Sequence, residues 1–597
     1  MVFSYCQPEV VMNWISKATA ACSVLILGGT FFLQEAKAGT ENRVESEIEN
    51  LESYKARSSR GVVAADELYA SQAAASILEQ GGTAADAGVT ALLMLGITNP
   101  FASGLGGGGF CLYREAEKGA TTVLDFREVA PLDAHRDLYL VEGEHRPELA
   151  RHGGLAVGIP GEAAGIWALH GRFGRLEWAD VVEPARRFAD QGFPVGATLA
   201  GHLENLQEML LGWPELARVF QNEEGEFLKE GDFMARDDLV RSLTLLRDEG
   251  VRPFYVGPVA DAMVEAANQA GGILRAEDFS SYAVIPRDAV RAEIGGHEIL
   301  SMPPPSSGGI ALIQALQILE TFAEEDLEES ERLHVQIEAL KHAFADRARW
   351  LGDADFVDVP VEKLTSLSYA QELARRIDLE RVLSMEEYGT TAPDEEGAGT
   401  SHLSIIDAEG NMLACTTTIN TRFGSLVYVP EYGIILNNEM ADFNTRPGEA
   451  NLYGLIGNEQ NAVAPQKRPL SSMSPTLVLR QGEPLLSIGA SGGPTIITGV
   501  YFALIRLLLE GQSPLETIAG PRLHHQWVPE TLFVDNEGHD ILEGLRERGH
   551  QIRQRPSFTA VQFVIRDGEE WVGVSDPRKG GIPAVPGVTR PGFDGEE

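Results

Sequence analysis

Hydrophobic and polar residues follow two different periods along this chain. Amphipathic or alanine-rich stretches of helical length alternate with short apolar runs that are typical of strands. The pattern predicts helices at residues 67–80, 83–95, 178–190, 310–322, 331–350 and 496–509, and strands at 111–114, 122–126, 400–406, 412–419, 475–479 and 485–488. Gly81-Gly82 closes the first of these helices, as expected of a helix C-terminus. The chain is therefore predicted to mix helices and strands, and it contains no internal repeat.

Two polar segments interrupt this pattern. Residues 42–58 are charged and are predicted to be a linker or a frayed first helix. Residues 389–399 are acidic, rich in glycine and without a large apolar side chain, so they cannot bury a hydrophobic face and should form an exposed, mobile loop. The strand at 400–406 begins directly after this loop. A turn at 407–411 joins it to the strand at 412–419 as a β-hairpin.

The N-terminus has the order of a secretory signal peptide. Residues 18–33 are sixteen mostly apolar residues without a charge, preceded by Lys17 and followed by the small-residue motif Ala36-Lys37-Ala38. The apolar run is shorter than the ~20 residues of a membrane span. We therefore predict a signal peptide at residues 1–38, rather than a retained anchor, and a periplasmic or extracellular mature protein.

Composition narrows the range of functions. Of the 597 residues, 48 are Lys or Arg and 88 are Asp or Glu, for a formal net charge of −40. A strongly anionic surface repels phosphate backbones and anionic lipids, which argues against nucleic-acid binding and polybasic membrane docking. The hydrophobic fraction of 44% is sufficient for a large packed core. By length, the chain is one large α/β body or several domains.

The four cysteines do not suggest a disulfide scaffold. Cys6 and Cys22 lie in the leader, and Cys111 and Cys415 lie in strand-like apolar stretches. The sequence contains no CxxC pair. Cys111 and Cys415 are therefore predicted to be buried free thiols.

Thr400 is the sharpest chemical candidate. If the bond between Gly399 and Thr400 is cut, Thr400 gains an α-amino group that can accept the proton of its own hydroxyl. That amine titrates near pH 8 when unperturbed, so it can act as a base without a histidine partner. The alternative is a threonine that merely begins a strand.

Two further features fit acyl transfer. The turn Gly489-Ala-Ser-Gly-Gly-Pro494 joins a strand to a helix, and its glycine amides could form an oxyanion hole or simply allow a tight turn. Arg127 ends a strand and could hold a carboxylate bidentately, or pair with Glu128 or another acid of the chain.

Other motifs are weaker. Gly106–Gly109 is not followed by Lys-Ser/Thr and does not match GxGxxG, which argues against a phosphate loop. His524-His525 has no HExxH context and is interpreted as structural rather than metal-binding. The absence of GxSxG argues against an ordinary α/β-hydrolase.

Taken together, these pieces resemble the gamma-glutamyltransferases, which are N-terminal nucleophile hydrolases. The resemblance extends from about residue 60 to residue 578, and several blocks occur in the family's order. The blocks are GLGGGGF at 104–110, DFRE at 125–128, MPPPSSGG at 302–309, TSH at 400–402, NNEMADF at 437–443, RPLSSMSP at 468–475 and GASGGP at 489–494.

The resemblance implies an α/β fold, a four-layer αββα sandwich built from two subunits of one precursor. The precursor would cleave itself between Gly399 and Thr400 into a large subunit, residues 39–399, and a small catalytic subunit, residues 400–597, which remain together as a heterodimer. Thr400 would attack the γ-glutamyl amide of glutathione or a related compound. Water, an amino acid or a peptide would then resolve the γ-glutamyl ester. No metal or organic cofactor is implied.

The resemblance also assigns roles to residues by position. Gly492 and Gly493 match the oxyanion-stabilising amides, and Thr418 matches a hydroxyl that assists processing. The residues that match the family's substrate-binding groups are Arg127, Ser471 and Ser472 for the α-carboxylate, Asn420, Glu439 and Asp442 for the α-ammonium, and Tyr453, at the centre of a lid loop at 445–461.

Two departures and two rival functions accompany this resemblance. Ala441 replaces an acidic residue common in the family's block, and the tail after residue 581 reads IPAVPG instead of a small-residue ending. The first rival is a cephalosporin (glutaryl) acylase-like amidohydrolase, whose substrate lacks the α-ammonium that Asn420, Glu439 and Asp442 would bind. The second is an unprocessed, non-catalytic binding paralogue in the periplasm.

Overall fold

The structure is a computed structural model, and it describes residues 51–388, 399–446, 459–538, 541–556 and 558–588. The predicted signal peptide, the loop residues 389–398 and Tyr453 of the predicted lid lie outside the described residues. The described residues from Tyr54 onward form one compact unit.

The elements follow one another in a mixed order. The strands are β1 Lys55–Ser58, β2 Gly61–Ala65, β3 Gly108–Arg114, β4 Thr121–Phe126, β5 Leu140–Val141, β6 Glu144–His145, β7 Phe193–Pro194, β8 Phe233–Met234, β9 Ile285–Arg287, β10 Val290–Ile294, β11 His297–Ser301, β12 Ser401–Asp407, β13 Met412–Thr418, β14 Tyr428–Val429, β15 Ile434–Ile435, β16 Thr476–Arg480, β17 Glu483–Ser491, β18 Leu523–His524, β19 Leu532–Val534, β20 Ile552–Gln554, β21 Ala560–Asp567 and β22 Glu570–Val574. The α-helices are α1 Leu68–Glu79, α2 Ala84–Thr98, α3 Glu162–Phe173, α4 Trp178–Gln191, α5 Ala197–Leu211, α6 Pro214–Val219, α7 Asp237–Glu249, α8 Pro258–Gln269, α9 Ala276–Ser280, α10 Gly308–Glu320, α11 Glu329–Trp350, α12 Val361–Leu364, α13 Leu367–Ala374, α14 Met385–Tyr388, α15 Thr495–Leu504, α16 Pro514–Ala519 and α17 Leu542–Glu547.

Two antiparallel sheets form the centre of the molecule. One has six strands in the order β2-β12-β13-β3-β4-β9, and the other has seven in the order β1-β22-β21-β17-β16-β11-β10. Strands β12 and β13 pack face to face on β17 and β21. Helices α1, α2 and α3 cover the outer face of the six-stranded sheet, and α10 and α15 cover the seven-stranded sheet. These four layers are the predicted αββα sandwich.

The predicted helices and strands are confirmed, with boundaries displaced by a few residues. The helix expected at 83–95 is α2, and Thr83 caps it by accepting a hydrogen bond from the amide of Asp86, whose carboxylate accepts from the Thr83 amide in return. The hairpin expected at 400–419 is β12 and β13. The helix expected at 496–509 is α15 followed by a π-helical turn, Ile505–Leu509.

Two sequence-based expectations are wrong. Cys111 and Cys415 form a disulfide and are not free thiols. The residues are direct partners in the antiparallel pairing of β3 with β13, although 304 positions separate them in the sequence. The end of the 42–58 segment is also neither linker nor helix, because Lys55–Ser58 pairs with β22 at the edge of the seven-stranded sheet.

Among the described residues, no helix combines the length and the apolar character that crossing a bilayer requires.

Candidate functional site

A small pocket opens beside Thr400, where the chain enters β12. It collects nearly all the site residues that the sequence predicts. The residues lining it are Arg127, Arg347, Thr400, Thr418, Asn420, Glu439, Asp442, Leu470, Ser471, Ser472, Met473, Gly493, Pro494 and Ile496. The segments that supply them are far apart in the sequence, and the two central sheets bring them together.

Hydroxyl groups surround the peptide bond that precedes Thr400. The Thr400 hydroxyl donates to the carbonyl oxygen of Gly399 at 2.7 Å, and the Thr418 hydroxyl donates to the same oxygen at 2.7 Å. The backbone amide of Asn420 donates to the Thr418 hydroxyl at 2.8 Å, which fixes the direction of its proton. The Thr400 and Thr418 hydroxyl oxygens are 3.4 Å apart. The two hydrogen bonds polarise the Gly399 carbonyl, and the Thr400 hydroxyl oxygen lies next to it.

Gly492 and Gly493 form the turn between β17 and α15. Their φ angles are +132° and +63°, a region that residues with a side chain rarely adopt. A Cβ at Gly492 would lie 2.4 Å from the carbonyl oxygen of Phe558. Gly493 lines the pocket with Thr400. The glycines therefore allow a turn at this edge of the pocket that other residues could not form.

Charged side chains form part of the pocket lining, which we call the charged wall: Arg127, Glu439 and Asp442. Arg127 follows β4, and its guanidinium lies 2.6 Å from a carboxylate oxygen of Glu439 and also bonds the carboxylate of Asp442. Glu128 is 3.6 Å from the same guanidinium. The ion pair with acids of the chain, which was the alternative for Arg127, is therefore present in this structure. Burial raises the pKa of Glu439 well above its usual value, against the opposing attraction of Arg127.

The remaining predicted ligands lie on two loops. Asn420 has a φ of +76°, and its side-chain amide donates to the carbonyl of Asn438 at 3.0 Å. Ser471 is held by a hydrogen bond from its amide to the carbonyl of Pro305, so the 302–309 and 468–475 blocks run side by side. Ser472 is also buried.

Two cations that the sequence motifs do not single out lie near Thr400. Arg347, on α11, lines the pocket and donates from Nε to the Ser307 hydroxyl at 3.0 Å. Burial lowers the pKa of Arg347 to about 10, so it stays charged at neutral pH. Lys579 donates to the carbonyl oxygen of Thr400 and lies 2.6 Å from a carboxylate oxygen of Asp66. One feature of the sequence could have indicated that Arg347 is buried: it lies in a helical stretch with apolar residues on several sides.

The glycine run at 106–109 has a packing role. A Cβ at Gly107 would lie 2.0 Å from the carbonyl oxygen of Thr418, and one at Gly106 would lie 2.0 Å from that of Ile435. The glycines let this segment approach the backbone that presents Thr418, which explains the run without a phosphate ligand.

One cluster of described residues has the composition of a metal site. His334, Glu338 and His550 place possible ligand atoms within 4.8 Å of one another. The Glu338 carboxylate already accepts from Lys341 and from the Tyr388 hydroxyl. His334 Nδ1 and His550 Nε2 are 2.8 Å apart, and His550 Nδ1 is buried without a hydrogen-bond partner among the described residues. None of the three residues lines the Thr400 pocket.

The other histidine pair, His524 and His525, is buried. His524 bonds Thr498 at 3.1 Å and Gln526 at 2.9 Å. Burial lowers the pKa of both His524 and His525, which keeps the imidazoles neutral.

Glu162 makes the stability of the fold depend on pH. It is buried at the start of α3; one carboxyl oxygen accepts from the Thr417 hydroxyl at 2.7 Å, and the other has no hydrogen-bond partner among the described residues. Burial raises the pKa of Glu162 to about 8. The folded state therefore keeps a proton on Glu162 that the unfolded state releases above about pH 4.5. The stability that this protonation contributes is fully present below about pH 4.5 and is lost as the pH rises through 8.

Replacing Glu162 with Gln should therefore flatten the pH dependence of unfolding. Between pH 6 and pH 9 the wild-type free energy of unfolding should fall by about 2–3 kcal/mol more than that of the variant. Urea unfolding at the two pH values measures this difference. Glu226→Gln, an exposed change, is the control and should behave as the wild type. Equal slopes for wild type and Glu162→Gln would contradict the assignment.

Comparison with known proteins places this geometry in a family. A model of the family described as gamma-glutamyltranspeptidase matches residues 70–585. The glutathione hydrolase proenzyme of Escherichia coli (strain K12) is 37% identical over 571 residues, covering 94% of this chain and 97% of that protein. The crystal structure of a cephalosporin acylase from Bacillus halodurans superposes with a TM-score of 0.80 at 25% identity and covers 90% of this chain and 97% of that one. That of a Helicobacter pylori gamma-glutamyltranspeptidase gives 0.51 at 36% identity and covers 53% of this chain and 91% of that one. The match over most of the chain shows that this chain belongs to the gamma-glutamyltranspeptidase family.

Proposed function

We propose that this protein is a self-processing gamma-glutamyltransferase with glutathione hydrolase activity. The observation that carries the proposal is the pair of hydroxyls, from Thr400 and Thr418, on the carbonyl oxygen of Gly399. The pair lies in a pocket whose lining also holds charges of both signs. The proenzyme and glutathione hydrolase names of the relatives support both halves of the proposal.

Maturation begins at the intact Gly399–Thr400 bond. The Thr400 hydroxyl oxygen attacks the carbonyl carbon of Gly399, the C–N bond breaks, and the acyl group passes from nitrogen to oxygen as an ester. The hydroxyl proton passes to the leaving nitrogen, which becomes the amine of Thr400. The Thr418 hydroxyl stabilises the negative charge that develops on the Gly399 oxygen. Water then hydrolyses the ester, which leaves Gly399 with a carboxylate and Thr400 with a free amine. The products are the subunits 39–399 and 400–597, held together as a heterodimer.

The mature site uses the same hydroxyl on an external amide. The Thr400 amine accepts the hydroxyl proton, the oxygen attacks the γ-carbonyl of the donor, and the amides of Gly492 and Gly493 stabilise the oxyanion. The protonated amine gives its proton to the leaving nitrogen. The γ-glutamyl ester is resolved by water, an amino acid or a peptide.

The charged wall selects the donor. A γ-glutamyl group carries an α-carboxylate and an α-ammonium. Its carboxylate can pair with Arg127 and its ammonium with Glu439 and Asp442, in place of the ion pairs that these side chains make with one another. Arg127, Ser471 and Ser472 bind the carboxylate by charge-assisted and hydroxyl hydrogen bonds. Asn420, Glu439 and Asp442 bind the ammonium. A glutaryl group, which lacks the ammonium, would leave these carboxylates without a counter-ion.

The competing function is a glutaryl acylase, which the superposition on the cephalosporin acylase supports. Rates measured for γ-glutamyl-p-nitroanilide and glutaryl-p-nitroanilide under the same conditions separate the two. We expect the γ-glutamyl donor to be turned over at least about 100-fold more efficiently, as for a site whose buried charges are left unpaired by the analogue. Preference for the glutaryl donor would overturn the proposal in favour of the acylase. Adding glycylglycine then reports transfer as γ-glutamyl-glycylglycine beside free glutamate.

Lys579 should tune the basicity of the Thr400 amine in the mature enzyme. Its ammonium already bonds the carbonyl oxygen of Thr400. A neighbouring positive charge disfavours a second one, so Lys579 lowers the pKa of the amine and favours the free base. In Lys579→Met the acidic limb of the kcat/KM profile should move up by about one pH unit. Lys579→Arg, which keeps the charge, should restore the wild-type limb, and an unmoved limb in the methionine variant would refute this role.

A further inference from the structure

The disulfide between Cys111 and Cys415 lies between strands that end up in different chains. Cys111 lies in β3 and belongs to the proposed large subunit, whereas Cys415 lies in β13 and belongs to the small one. We infer that the mature heterodimer is covalently cross-linked by Cys111–Cys415. This inference rests on the proposed cleavage between Gly399 and Thr400.

The order of strands in the six-stranded sheet places the disulfide at a contact between the two proposed subunits. The hairpin β12-β13 of the small subunit lies between β2 and β3 of the large subunit. Before cleavage, the chain preceding Thr400 also connects this hairpin to the large subunit. After cleavage, and without a cross-link, only hydrogen bonds and packing would hold β13 to β3. A covalent bond between these two strands replaces the lost connection at the same interface.

The cross-link also lies close to the nucleophile. Cys415 is three residues before Thr418, a separation of about 10 Å along a strand. Thr418 and Cys415 are in direct register with Gly108 and Cys111 of β3. The bond therefore holds the strand that presents the Thr418 hydroxyl against the neighbouring strand of the other subunit.

The pair is enclosed by apolar side chains. Both cysteines are fully buried. Leu403 of β12 and Leu124 of β4 are their direct partners on the two outer sides, so four side chains form one row across the sheet. The row belongs to the hydrophobic core that the six-stranded sheet shares with helices α1, α2 and α3. Soluble reductants cannot reach the sulfurs without opening this core.

Formation of the bond needs an oxidant. The two thiols lose two electrons and two protons, and a disulfide-bearing oxidant is reduced to two thiols by exchange. The export signal predicted at residues 1–38 directs the chain to a compartment where such oxidants maintain disulfides.

Electrophoresis and thiol alkylation of the purified mature protein test the inference. With reductant, denatured protein should give two chains, and without reductant one species of their combined mass. Alkylation of the denatured, unreduced protein should leave Cys111 and Cys415 unmodified, and peptide mapping should recover the peptide containing both. Two separate chains without reductant, with both thiols alkylated, would overturn the cross-link and leave the proposed processing intact.

One chain under both conditions would instead overturn the processing, and with it the link between subunits, while alkylation would still report the disulfide. The variant Cys111→Ala/Cys415→Val supplies a matched control. It should separate into two chains without reductant. Its unfolding midpoint in urea should rise with protein concentration, whereas that of the cross-linked wild type should not, because only the variant releases two molecules on unfolding. The same midpoint behaviour in both proteins would contradict the inference.

Discussion

Thr400→Ala is expected to yield a single uncut chain that does not turn over γ-glutamyl-p-nitroanilide. The substitution removes the hydroxyl that the proposed mechanism uses to attack Gly399 and later the donor, so processing and catalysis should fail together. Activity should fall by about 10³-fold or more, as for the loss of other catalytic nucleophiles. Gel electrophoresis of the purified protein and initial rates with the anilide measure the two effects.

Thr400→Ser is the matched control because it keeps the hydroxyl and the α-amine. It should still be cleaved and retain measurable activity. Thermal unfolding of Thr400→Ala should remain cooperative, since the lost methyl and hydroxyl are small. Cleavage of the alanine variant at the same bond would contradict the role of Thr400 as the processing nucleophile.

Asp442→Asn should cost the enzyme its preference for donors with an α-ammonium. Asp442 pairs with Arg127 in the pocket, and the proposal makes it an anionic partner of the substrate ammonium. Loss of one member of a buried, hydrogen-bonded charge pair costs about 2–5 kcal/mol. We therefore expect kcat/KM for γ-glutamyl-p-nitroanilide to fall by about 100-fold, mostly through KM.

The matched measurement uses glutaryl-p-nitroanilide on the same variant. This donor has no ammonium, so its low rate should change little. Asp248→Asn, which removes an exposed charge that does not line the Thr400 pocket, should leave both rates as in the wild type. Equal losses for the two donors in Asp442→Asn would show a structural role for Asp442 instead of recognition of the ammonium.

Local pattern was sufficient to predict much of the fold. Helix α2 carries its cap in the sequence, as Thr83 and Asp86, and the β12-β13 hairpin is visible as two apolar runs around a short turn. The αββα arrangement required the family resemblance, because the order of the strands in each sheet is set by contacts between distant segments. Strand β2, for example, lies beside β12 across more than half the chain.

The features that were missed depend on such distant contacts. Nothing near Cys111 or Cys415 in the sequence indicates that β3 and β13 are neighbours in the correct register, so free thiols were the natural expectation. Lys579 reaches Thr400 from the C-terminal segment. In the sequence, Arg347 is one of several charged residues of a long helix, and only the fold shows that it lines the pocket. Motif blocks, by contrast, identified the residues that meet around Thr400.

Intact-mass spectrometry of the purified mature protein after reduction, with N-terminal sequencing of each chain, tests the central claim most directly. The account predicts two chains, the smaller beginning Thr400-Ser401-His402 and ending at the C-terminus of the precursor. That result would identify the nucleophile before any substrate is tried. A single uncut chain, inactive on γ-glutamyl-p-nitroanilide, would contradict the enzyme assignment and favour a binding protein of the same fold.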